Sequence, residues 1–236
     1  MRGGIQLASK AHKRSLAVSR MKGLVLSLSP FSKVAEEYRS TRTNLYFLMK
    51  NKGSKSLVVT SAKKGEGKTT SVTNLAISMA KGNEKVLIVD ANFRRPFIHT
   101  IFNLPNQLGF LDVLKGTLPM KEVMYHSYVP NLDVLTSGDL SSNSLEVINS
   151  QRIITFLEEV SQQYDRIIID APPILEAAEV RFLASRSDGV ILISCKNKTK
   201  IDEFAEAKRA LEVAGANLIG VVLNEKNQSL LDGYFF

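Results

Sequence analysis

Between residues 56 and 223 the chain alternates short unbroken apolar runs with longer stretches of helical spacing. The runs at 56–60, 85–90, 132–137, 166–170, 189–195 and 217–223 are rich in Val, Ile and Leu. Most lack the in–out alternation of a strand wetted on one face, and so predict strands buried on both faces of a parallel sheet. The stretches at 68–81, 151–163, 177–185 and 201–214 predict helices between those strands. Ahead of them, 34–49 carries Ala35, Tyr38, Arg42, Leu45 and Leu48/Met49 at helical spacing, with Ser32 placed to cap the first turn. Strands alternating with helices predict an α/β fold: a doubly wound, mostly parallel sheet with helices on both faces and ligand chemistry at the carboxyl ends of the strands.

The first strand leads into Ser61-Ala62-Lys63-Lys64-Gly65-Glu66-Gly67-Lys68-Thr69-Thr70, and a helix follows at once. Gly65 and Gly67 permit backbone torsions and close approaches that a Cβ would obstruct, so successive amides can turn inward around a phosphate. Lys68 supplies a point charge, Thr69 a hydroxyl for Mg²⁺, and the helix its positive N-terminal end. Ala62 stands where the usual pattern opens with Gly, while the Gly-x-Gly-Lys-Thr half is intact. This context predicts a P-loop NTPase fold that binds ATP with Mg²⁺ through Lys64, Gly65, Glu66, Gly67, Lys68, Thr69 and Thr70.

Two further strands end in carboxylates. The run ending at Asp90 is followed by Ala91-Asn92-Phe93-Arg94, and the run ending at Asp170 by Ala171-Pro172-Pro173. Beside a phosphate loop, a strand-end carboxylate can hold Mg²⁺ directly or through water, or accept a proton from an attacking hydroxyl. Asp90 and Asp170 are therefore catalytic and metal-binding candidates together with Thr69. Asn224 closes the last strand, where its carboxamide can read a purine edge or simply suit a turn. Glu36, Arg39 and Arg42, spaced three apart, share one helical face. They can pair with each other, form a solvated surface, or meet a neighbouring subunit.

Composition narrows the setting. The net charge of +8 gathers at one end: Arg2, Lys10, Lys13, Arg14, Arg20 and Lys22 face no acidic residue before Ser32. Such an arm suits anionic lipid or nucleic acid, or is a solvated tail or leader. The remainder is nearly neutral, so no dedicated nucleic-acid surface is expected on the folded part. Cys195 is the only cysteine, which excludes an intrachain disulfide and suggests a reducing compartment. No apolar run approaches the roughly 18 residues needed to cross a bilayer, and none resembles a signal peptide. A cytoplasmic protein is expected.

With these pieces in place, the chain resembles the bacterial tyrosine kinases of capsule and exopolysaccharide biosynthesis, within the class of septum-site and plasmid-partitioning P-loop ATPases. The resemblance rests on Glu36-x-x-Arg39-x-x-Arg42, the stretch from Ala62 to Thr69, Asp90-x-Asn92-x-Arg94, Asp170-Ala171-Pro172-Pro173 and the terminal Tyr234. With the charge pattern, it divides the chain into a basic arm at 1–32, a kinase/ATPase domain at 33–228 and a tail at 229–236, and it implies that Tyr234 in that tail is the phosphoacceptor. It further implies that Glu36, Arg39 and Arg42 line a ring interface and that the cytoplasmic end of a membrane co-polymerase activates the kinase. Recruitment to the inner face of the membrane through that partner and an opposing tyrosine phosphatase follow from the same likeness. Within it, Lys68, Asp90, Asn92 and Asp170 form the catalytic group, with Asp90 activating the tyrosine hydroxyl and Arg94 contacting the incoming chain or a phosphate. Asn92 replaces the family's usual second aspartate and brings neither charge nor proton acceptance. Two other functions fit the same residues: a partitioning-type switch ATPase, and an ATP-binding scaffold with weak transfer.

Overall fold

The computed structural model describes residues 24–50, 53–140 and 150–225. Tyr234 and the expected tail, most of the basic arm, and 141–149 lie outside them. The described chain runs through α1 (Val25–Leu28), α2 (Lys33–Lys50), β1 (Ser56–Ser61), α3 (Lys68–Ala80), β2 (Val86–Asp90), α4 (Ile98–Phe102) and α5 (Phe110–Lys115). It continues through α6 (Met120–Val123), β3 (Met124–His126), β4 (Leu132–Leu135), α7 (Ser150–Ser161), β5 (Arg166–Asp170), α8 (Glu179–Arg186), β6 (Gly189–Cys195), α9 (Ile201–Val213) and β7 (Leu218–Asn224).

These strands form one sheet in the order β3-β4-β2-β5-β1-β6-β7. All neighbours are parallel except β3, which pairs antiparallel with β4 at one edge. The doubly wound expectation therefore holds, with one strand added. β3 has only three residues, none of them buried, so it carries no continuous apolar run to announce it; its pairing with β4 makes it a strand.

The apolar runs divide their side chains between two cores, as a strand's two-residue period requires. Leu87, Val89, Ile167, Ile169, Val190 and Leu192 point to one face, where they meet Phe110, Phe156, Leu183 and Leu211 from the helices. Val86, Ile88, Ile168, Ile191 and Ile193 point to the other, against Leu45, Met49, Val72 and Ile77. Helix α3 lies almost wholly inside the second core, and α2 packs over it. Ser32 Oγ accepts the Ala35 amide at 3.2 Å, giving α2 the cap its sequence suggests. The folded body begins before residue 33, because Leu24 and Leu26 are buried against α3. There Asn74 Oδ1 accepts the Leu26 amide, and Lys81 Nζ donates to the Leu26 carbonyl.

The sheet's middle fixes the site. Strand β1 is buried along its length between β5 and β6. Its amino end is fastened by Asp188, whose Oδ2 accepts the Lys55 and Ser56 amides and the Ser56 hydroxyl at 2.8, 2.8 and 2.7 Å. On its other side β1 neighbours β5, which pairs in turn with β2, so Asp90 and Asp170 stand side by side in register at the carboxyl edge. The loop leaving β1 opens beside them, at the point where the chain's winding reverses.

Candidate nucleotide site

Turning from β1 into α3 requires a left-handed residue, and Gly67, at the N-cap, has φ +94°. A Cβ there would come 2.0 Å from Asn224 Nδ2, which donates to the Glu66 carbonyl at 2.9 Å. Asn224 thus braces the loop from the end of β7. Glu66 is buried and likewise shapes the loop: its carboxylate accepts the Lys63 amide and the Thr199 hydroxyl at 3.3 and 2.6 Å.

A cavity of about 630 Å³ opens over the loop. Lys64, Gly65, Gly67, Lys68, Thr69 and Thr70 line it from below, Asn92, Arg94 and Arg95 from the loop after β2, and Pro172, Pro173, Glu176 and Ala177 from the loop after β5. Lys198 completes the lining from the turn after β6. Most of the expected nucleotide contacts are here, whereas Glu66, Asn224, Asp90 and Asp170 are absent from the lining. Arg95, Glu176 and Lys198 carried no motif in the sequence. They come from three separate loops, and only the fold brings them to one place.

Lys68 is buried, and its Nζ donates to Ser61 Oγ at 2.9 Å. Burial lowers its pKa, opposed by the charges of Asp170, Glu66 and Glu176. Thr69 donates its hydroxyl to Asp170 Oδ2 at 2.6 Å. The other oxygen, Asp170 Oδ1, is buried with no hydrogen-bond partner among the described residues. A buried anionic oxygen without a donor is costly, and a cation held between this carboxylate and the Thr69 hydroxyl would satisfy it. The pair therefore fits Mg²⁺.

Asp90 is placed differently. It is fully buried, its Oδ1 accepting the Asn92 amide at 3.0 Å and its Oδ2 the Phe97 and Ile98 amides, both at 3.0 Å. It ties down the loop that carries Asn92, Arg94 and Arg95. Burial and the neighbouring Asp170 push its carboxyl up to about 7 against those three amides. Burial also raises Asp170, to about 6, opposed by the Thr69 hydroxyl and the Lys68 charge. Asn92 lines the cavity, and Arg94 pairs with Glu179 of α8 at 2.6 Å. Lys63 reaches away from the cavity to Glu203 of α9, also at 2.6 Å.

The Glu36, Arg39 and Arg42 group lies on α2, away from the cavity. Glu36 and Arg39 form an ion pair at 2.6 Å, and Arg39 also donates to the Pro30 carbonyl. Arg42 donates to the Ser78 carbonyl at 2.7 Å, in the last turn of α3.

Residues 54–202 match the family model described as an AAA domain. The tyrosine-protein kinase YwqD of Bacillus subtilis (strain 168) is 38% identical over 212 residues, covering 89% of this chain and 90% of that protein. The chain belongs to the bacterial tyrosine kinases. Another of these tyrosine kinases, ptk of Acinetobacter johnsonii, is 30% identical over 82% of this chain, which spans only 26% of that longer protein. Among solved structures, the kinase domain of the Escherichia coli tyrosine kinase ETK matches with a TM-score of 0.83 and 28% identity, over 90% of this chain and 84% of that one. The septum site-determining protein MinD of Pyrococcus horikoshii OT3, solved with Mg-ADP, matches with a TM-score of 0.61 over 72% of this chain and 70% of that one. At 22% identity that likeness extends to the P-loop fold alone. Among the described residues of this bacterial tyrosine kinase, no helix is long and apolar enough to cross a membrane.

Proposed function

We propose that the protein is an ATP-dependent protein-tyrosine kinase that phosphorylates Tyr234 in the tail of a neighbouring subunit and regulates the synthesis or export of an exopolysaccharide or capsule. One observation carries the phosphoryl-transfer reading: the Thr69–Asp170 contact, with its unpartnered carboxylate oxygen, beside a cavity floored by the phosphate loop. Family membership supports tyrosine as the acceptor.

In this reading the loop amides and Lys68 hold the β- and γ-phosphates, and Thr69 and Asp170 would hold Mg²⁺. When bound, the metal neutralises charge developing on the phosphate oxygens. The phenolic oxygen forms its bond to the γ-phosphorus as the bond to the bridging oxygen breaks and ADP leaves. Asp90 is the carboxylate that would take the phenol's proton, and its oxygens must first leave the amides of Asn92, Phe97 and Ile98. Arg94 and Arg95 at the cavity's edge suit an incoming chain with acidic character.

We assign assembly into a ring to the α2 face, where Glu36 is exposed on its side chain, and activation to the cytoplasmic end of a membrane co-polymerase that holds the kinase at the membrane. A tyrosine phosphatase would reverse the modification. A second reading is a nucleotide-binding switch or scaffold with weak transfer; it is favoured by Asn92 in the cavity lining and by the commitment of Asp90 to three amides.

The test is incubation of the full chain with Mg²⁺ and γ-labelled ATP, with and without a co-polymerase peptide, and location of phosphotyrosine by mass spectrometry. Label on Tyr234 that vanishes in Lys68→Met and Tyr234→Phe supports the kinase. Nucleotide binding without phosphotyrosine, even with the peptide present, transfers the assignment to the scaffold.

A further inference from the structure

The first half of the phosphate loop is held by one short segment from the other side of β1. Lys198 Nζ donates to the Lys64 and Gly65 carbonyls at 2.9 and 2.8 Å. The next residue, Thr199, donates its hydroxyl to Glu66, and Glu203 receives Lys63. Sequence spacing gives no hint of this clamp, because residues 198–203 carry no nucleotide-binding pattern of their own.

We infer that Lys198 is a second cation of the nucleotide site, which orients the loop amides and donates directly to a bound phosphate. The first role follows from peptide geometry. In a trans peptide the carbonyl and the amide of the next residue point to opposite sides. Holding the Lys64 and Gly65 carbonyls therefore fixes those two peptide planes, and with them the directions of the Gly65 and Glu66 amides. The second role follows from counting donors. An ammonium group has three, and the two carbonyls occupy two of them. Lys198 also lines the cavity, which leaves the third donor for a phosphate that enters there. Its charge is close enough to be felt at Lys68, and a polyanion between the two cations would relieve that repulsion. The inference rests on the nucleotide-binding reading above and adds a residue to it.

Titration calorimetry of the full chain with MgATP and MgADP tests both. Lys198 is exposed, so Lys198→Met should leave the melting temperature of the nucleotide-free protein nearly unchanged. Loss of a charged donor should weaken both nucleotides by about tenfold or more. Lys198→Arg keeps the charge and can reach both carbonyls, and should bind within about threefold of the wild type. The wild-type affinity should also fall more steeply with added KCl than that of Lys198→Met, a difference that a purely structural role would not produce. Binding by Lys198→Met within about twofold of the wild type, or equal salt dependence, overturns the inference while leaving nucleotide binding intact. A wild-type protein that binds neither nucleotide overturns both.

Discussion

A Cβ on Gly67 would stand 2.0 Å from Asn224 Nδ2, so the phosphate loop and the end of β7 meet where a side chain at 67 has no room unless Asn224 moves. The contact joins residues far apart in sequence, and the Asn224 hydrogen bond to the Glu66 carbonyl secures it. Gly67→Ala would have to displace Asn224 and also hold an L side chain at φ +94°. The expected outcome is loss of nucleotide binding in calorimetry, with a fall in stability of about 1–3 kcal/mol by chemical denaturation. Asn224→Ala should weaken nucleotide binding with a smaller loss of stability, of about 1 kcal/mol.

The side-by-side carboxyls of Asp90 and Asp170 predict a pH dependence for the metal-free protein. Both ordinarily titrate near 3.8, and both are raised in the fold, to about 7 and about 6. Between those limits the native state binds more protons than the unfolded chain, so the pair's stabilising contribution falls as pH rises. It is fully present below 3.8 and is lost as pH passes through the raised values. Denaturation in EDTA across that window should show a negative contribution to the slope of stability against pH. The double variant Asp90→Asn/Asp170→Asn should lack it, and an unchanged slope would refute the coupling.

Arg42 and Glu36 separate folding from assembly. Arg42 donates to the Ser78 carbonyl near the negative end of α3, so Arg42→Ala should destabilise the subunit by about 1–2 kcal/mol in urea denaturation. Glu36 makes a surface ion pair with Arg39, and Glu36→Ala should change subunit stability by less than about 1 kcal/mol. If α2 forms the ring interface, sedimentation will show both variants assembling less than the wild type. Assembly unaffected by Glu36→Ala would count against the interface.

Asp188 offers a test of the fold alone. Its Oδ2 gathers two amides and one hydroxyl where β1 begins. Asp188→Ala strands those donors and should cost about 2–4 kcal/mol in chemical denaturation. A loss below about 0.5 kcal/mol would show that water replaces the carboxylate without penalty.

The sequence by itself determined the parts whose physics is local. Continuous apolar runs gave strands, most of them wetted on neither face although edge strand β7 leaves Val221 and Leu223 exposed; helical spacing gave the covering layers, and Gly-x-Gly-Lys-Thr between a strand and a helix gave the phosphate loop. Ser32 as a cap was legible for the same reason, since a cap and its helix are neighbours in the chain. The tertiary structure decided what depends on register across the sheet and on contacts between distant loops. It set Asp90 beside Asp170 but turned the Asp90 carboxylate into three amides, whereas Asp170 kept one oxygen unpartnered. It buried Leu24 and Leu26, extending the body towards the amino end, and made a strand of three half-buried or exposed residues at β3. It also brought Asn224, Lys198 and Thr199 to the phosphate loop. Asn224 was marked only as a strand end, and nothing local marks Lys198 or Thr199, because side chains distant in sequence acquire their partners only when the strands that carry them pair.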